Sequence, residues 1–268
     1  MRRVIFACRP VLIFVSILIA VSSVSAHDVW MTVEQNPTGQ VRAVVHHGHP
    51  GDRKTPDQDK LFELNMLAHG HATRSLLPGI TSASQGGIPV LITEPVTIES
   101  DTILLAARYD NGFWVKTPNG FRNTSKQQVP SAEDSLLSIK FAKALFQVSA
   151  AESHEYGKII GHRLELVPLG NPFLAKPGEG LEIKVYFDGK PLVGIEVETG
   201  DGITPVAEKD IPRFRTDNQG IAVVPISKRG PQLLVVDYIL PSTYPDLAAR
   251  ELYNATLSFV LPVVPQGK

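Results

Sequence analysis

Short apolar runs, each closed by Gly or Pro, set the limits on what this chain can fold into. Gly180 to Pro191 shows the pattern most clearly. Leu181, Ile183, Val185 and Phe187 alternate with Glu182, Lys184 and Tyr186, and Asp188-Gly189-Lys190-Pro191 then turns the chain. A period of two buries one face of a strand and gives a helix no apolar stripe. Comparable runs recur along the sequence, and Gly and Pro number 21 each among 268 residues, enough to interrupt most helices. The expectation is an all-β protein.

The first 26 residues are set apart. Arg2, Arg3 and Arg9 flank the start of an uncharged apolar run from Val11 to about Val21, and Val24 and Ala26 occupy the small-residue positions of a signal-peptidase site. The run is too short for an ordinary spanning helix. Residues 1–26 are therefore expected to be a signal peptide cleaved after Ala26, giving a periplasmic or secreted protein that begins at His27. Cys8 is the only Cys, so no disulfide scaffold or thiolate metal site is expected. A formal net charge of −1 supplies no basic surface for nucleic acid. No phosphate-binding loop or dinucleotide fingerprint occurs, so no nucleotide partner is expected either.

Residues 27–130 read as short strands and turns. Asp110-Asn111-Gly112, between the runs Thr102–Arg108 and Phe113–Lys116, predicts a hairpin. Ser131 with Glu133 and Asp134 suits a capped helix start. Leu136, Leu137, Ile139, Phe141, Ala144, Leu145 and Val148 recur at about helical spacing, with Lys140 and Lys143 toward the other side. A helix is predicted over 132–147 and a linker over 149–158. About seven further strands follow within 161–262, at the spacing of an immunoglobulin-like sandwich, and 263–268 form a tail. The expected architecture is two β-sandwich domains, 27–130 and 161–262, joined by a single helix and linker over 131–160.

The chemistry points to histidine. A mature N-terminal His27 offers its α-amine and its ring Nδ1 to one cation, closing a six-membered chelate. These nitrogens suit copper, nickel, cobalt and zinc. His46-His47-Gly48-His49 closes a predicted strand, where His47 and His49 face one way and His46 the other. If the strands 28–33 and 41–47 pair antiparallel, His46–His49 return beside His27. The candidate metal ligands are His27, His46, His47 and His49. His69 and His71 are expected in an exposed turn, His154 in the linker, and His162 in a structural position. Asp237-Tyr238 ends a long apolar strand and has oxygen ligands to offer. Phe113-Trp114 offers a ring for stacking on a sugar. No G-x-S-x-G element or other nucleophile context supplies a catalytic residue.

Several segments in order resemble one family. Mature His27-Asp28-Val29-Trp30-Met31, Gly48-His49-Pro50, Lys116-Thr117-Pro118-Asn119-Gly120, Gly161-His162-Arg163-Leu164-Glu165-Leu166-Val167-Pro168, Asp188-Gly189-Lys190-Pro191-Leu192 and Leu252-Tyr253-Asn254-Ala255-Thr256-Leu257-Ser258-Phe259 are similar to the bacterial family called domain of unknown function 4198. The resemblance implies an exported β-rich protein. It also implies a role in nickel or cobalt uptake, with a membrane transporter as partner, and the mature N-terminal His as ligand. His27 matches the mature-start His and His49 the Gly-His element. Many members carry a His near the end of the long penultimate strand, where this chain has Val236-Asp237-Tyr238. Three functions stay open from sequence: a periplasmic nickel or cobalt binder, a copper histidine-brace oxidoreductase, and a glycan- or protein-binding adhesion module.

Overall fold

The computed structural model describes residues 27–98, 100–148 and 154–262. The expected signal peptide, part of the expected linker and the tail lie outside the described residues. Eighteen strands run through them in chain order. The first seven are β1 (Asp28–Gln35), β2 (Val41–His49), β3 (Asp52–Lys54), β4 (Leu61–Ala68), β5 (Arg74–Ser75), β6 (Thr81–Gln85) and β7 (Ile88–Ile92). Then come β8 (Thr102–Thr117), β9 (Gly120–Arg122), β10 (Asp134–Gln147), β11 (Leu164–Pro168), β12 (Gly180–Phe187) and β13 (Lys190–Pro191). The last five are β14 (Glu196–Gly200), β15 (Arg213–Arg215), β16 (Ile221–Pro225), β17 (Gly230–Pro241) and β18 (Arg250–Leu261). Helical structure among the described residues is confined to four single-turn 3-10 segments.

The strands form three sheets. A front sheet has the order β1-β2-β7-β6, with β3 on β2. A central sheet has the order β15-β14-β17-β18-β10-β8-β4-β5, with β9 on β8. A back sheet joins β11, β12 and β13, with β16 also on β12. The side chains show how they stack. Val29, Met31, Ala43 and Val45 of the front sheet pack against Ile103, Leu105, Ala107, Ala142 and Ala144 of the central one. The alternate residues of the central strands, Leu104, Ala106, Phe141 and Leu145, pack with Leu166, Ile183 and Val185 of the back sheet. The central sheet is thus buried on both faces. The hydroxyls of Thr256 and Ser258 donate to the carbonyls of Val29 and Met31, fastening β1 onto β18.

This arrangement corrects three expectations. Residues 134–147 are a strand, not a helix. Apolar side chains cover both of its faces, so the sequence lost its alternation and imitated a helical run. Lys140 and Lys143 would share a side on a helix. On the strand they face opposite ways, and both are buried. Lys143 lies 2.8 Å from Glu165, whose carboxylate also accepts from the backbone of Ile160 and Gly161.

The second correction concerns the two sandwiches. β10 pairs with β8 on one side and, in parallel, with β18 on the other, so strands of both expected domains share one sheet. Among the described residues no helix separates them. Third, Asp110-Asn111-Gly112 is no hairpin. It is a bulge inside the 16-residue β8, where Gly112 pairs with Ser138, Asp110 with Ile139, and Asn111 is the extra residue. Gly112 takes φ +77°, which a bulge needs as much as a turn does.

Candidate metal centre

β1 and β2 pair antiparallel with Asp28 opposite Gly48 and Val29 opposite His47. The register returns the end of β2 to the start of β1, and His27, Val29, His47 and His49 share the side that faces the central sheet. Gly48 lets the chain bend between the two histidines. Its φ is +112°, and a Cβ there would sit 2.3 Å from the carbonyl oxygen of Asp52 on β3. The His27 and His47 ring centroids are 5.7 Å apart, and those of His27 and His49 5.3 Å. Rings sharing one ion at about 2.0–2.1 Å from nitrogen have centroids roughly 5 Å apart at tetrahedral angles. His27 is therefore close to that spacing from each of the other two rings. Among the described residues no group of three or more His, Cys, Asp or Glu side chains stands where it could hold a metal ion.

The electrostatics suit cation capture. His47 is mostly buried against the Tyr109 ring, 5.4 Å between centroids. Neither of its ring nitrogens has a hydrogen bond of normal geometry, the backbone of Thr55 giving only weak compensation. Loss of hydration, and then the Lys140 charge, pushes its pKa down to about 3. His27 is lowered too, by burial first and by His49 second. A neutral imidazole is the ligating form, so neither ring must lose a proton at neutral pH. His49 is raised, chiefly by its contact with Asp28, Nδ1 to Oδ2 at 3.4 Å. His27 Nε2 stands 3.4 Å from Asp52 Oδ2. A carboxylate on the outer nitrogen orients a ligating ring and makes it more basic. At His27 that contact takes up Nε2, so Nδ1 is the nitrogen left for a cation.

The structure does not bring His46 into the group. Its ring stacks on Trp30 on the other side of the hairpin, 5.1 Å away at 19°, and shares a 2.9 Å hydrogen bond with Thr32. Arg53 covers the Trp30 ring at 4.2 Å. His69 lies 3.6 Å from Glu155, His154 beside Tyr156, and His162 against Phe141. Trp114 gives its N–H to the Asn111 carbonyl and carries the Lys60 ammonium 5.3 Å from its ring, so that face is already engaged.

Sequence reasoning missed the shell around the three rings. Asp28 follows His27 directly, and Asp52 opens β3 opposite His49; either could have been found by proximity. Asn254 could not. It lies on β18 and donates to Asp28 at 2.9 Å and to Asp237 at 2.8 Å. That bridge sets Asp237 beside the centre.

No curated protein matches the chain. Among solved structures, the crystal structure of the titin domains z1z2 in complex with telethonin is 12% identical, with 88% of this chain and 93% of that one covered. The TM-score of 0.15 is too low for a shared fold. The family model described as domain of unknown function (DUF4198) matches residues 24–239, and the chain belongs to that family.

Proposed function

We propose that the mature protein is an exported, non-catalytic binder of one divalent transition-metal ion. The ion is held by the α-amine and Nδ1 of His27 and by the rings of His47 and His49. The carrying observation is the pairing of His27 Nε2 with Asp52. It leaves Nδ1 as the free nitrogen, and Nδ1 is the one that closes a six-membered ring with the α-amine. In the full chain that amine is a peptide nitrogen. Export and cleavage after Ala26 would complete the ligand set, so capture would begin only outside the cytoplasm. Amine and imidazole nitrogens favour nickel, cobalt, copper and zinc over harder cations. The family resemblance supports nickel or cobalt, buffered and passed to a membrane uptake transporter.

The test is calorimetric titration of the natively cleaved protein with nickel, cobalt, copper and zinc, beside a variant carrying one extra Gly before His27. Sub-micromolar binding that collapses in the extended variant supports the proposal. No binding, or equal binding by both, overturns it.

A second reading is a copper oxidoreductase. The half-open setting of His27, whose side chain is 37% exposed, favours it by leaving the centre reachable from solvent. Copper-loaded protein that consumes oxygen with ascorbate would select this reading; inert copper-loaded protein would leave the binder.

A further inference from the structure

Beneath the three imidazoles the central sheet presents Lys140, which the proposed ligand set does not use. The residue is fully buried, and its Nζ has no hydrogen-bond partner. Register sets Tyr109 of β8 on one side of it and Asn254 of β18 on the other. Directly paired residues project from the same face, so these three side chains line up under the β1–β2 hairpin. Tyr109 meets the His47 ring, and Asn254 meets Asp28. Lys140 is close enough for its charge to act on His47 and His49, and for Asp28 and Asp237 to act on it.

A buried amine without an acceptor is a costly placement, and proteins rarely keep one without a use for it. Asn254 Oδ1 is also buried without a partner. A turn of the Lys140 side chain toward it would engage one N–H and leave two more without an acceptor. Charge gives those N–H groups a task. Asp28 and Asp237 answer the single cation Lys140. A dication arriving among uncharged rings adds two positive charges, and Asp52 is already held by Lys54 at 2.6 Å.

We infer that Lys140 receives a small monoanion entering with the cation, so that the protein binds a metal–anion pair rather than a bare ion. The anion is of azide or formate size, held by the Lys140 N–H groups and confined between Tyr109 and Asn254. This rests on the metal-binding reading of His27, His47 and His49.

Cobalt-loaded mature protein titrated with azide, followed by its visible absorption, tests the inference on the wild type, Lys140→Met and Lys140→Gln. Azide should bind the wild type. Both variants should weaken it at least about tenfold, the loss of one charge-assisted hydrogen bond, while still taking up cobalt. On the wild type alone, saturating azide should strengthen cobalt binding by about fivefold or more, because coupling between two ligands is reciprocal. This measurement stands if either variant fails to fold. Cobalt that binds with no response to azide, or azide affinity unchanged in folded variants, overturns the inference and leaves the metal site intact. Failure to bind cobalt at all overturns the metal site, and the inference with it.

Discussion

Replacing His47 by Phe distinguishes a ring kept for chemistry from one kept for packing. The side chain lies in the core end of the hairpin against Tyr109, with both nitrogens buried and without normal hydrogen bonds. An orphaned buried polar atom costs about 1–3 kcal/mol, and Phe has nearly the same flat shape without it. The metal-free His47→Phe protein should therefore be more stable than wild type by about 1–2 kcal/mol at pH 7.5. Acid should widen the gap. In the unfolded chain the ring takes a proton near 6.5; in the fold it does so only at about 3. Between those values the unfolded state binds the extra proton, so the wild type loses stability as pH falls. At pH 4.5 the loss reaches about 2.5 kcal/mol, and Phe is spared it. Urea unfolding at pH 7.5 and 4.5 measures both terms. A variant less stable than wild type at pH 7.5, with an unchanged gap at pH 4.5, would refute the reasoning and make His47 a packing residue.

Gly48→Ala forces a Cβ onto the Asp52 carbonyl at φ +112°, and should lower Tm by at least about 5 °C in thermal unfolding. Lys143→Met strands Glu165, which is 1% exposed, and should cost about 3–5 kcal/mol in urea unfolding, with Glu165→Gln in the same chain restoring part of it. His46→Leu should leave metal affinity within about threefold by calorimetry, because its ring lies on the Trp30 side of the hairpin.

The hairpin that gathers the site was legible because its cause is local. β1 and β2 are joined by a short turn, and the parity of the residues places His47 and His49 on one side and His46 on the other. The floor of the site was not legible. Lys140 and Asn254 come from strands whose pairing spans more than a hundred residues, and no local pattern encodes that register. The same pairing hid the strand itself. Leu136 to Leu145 must be apolar on both faces because a sheet lies on each side, and a continuous apolar run does not announce its period. Asn111-Gly112 misled for a related reason. A positive φ at glycine serves a bulge within a long strand as well as a hairpin, and only the partner strand decides between them.

X-ray absorption of the nickel- or cobalt-loaded mature chain tests the central claim most directly. The account predicts a first shell of nitrogen at about 2.0–2.1 Å with the outer-shell scattering of two or three imidazoles, and loss of a nitrogen when one Gly precedes His27. A shell of oxygen alone, without imidazole scattering, would contradict it.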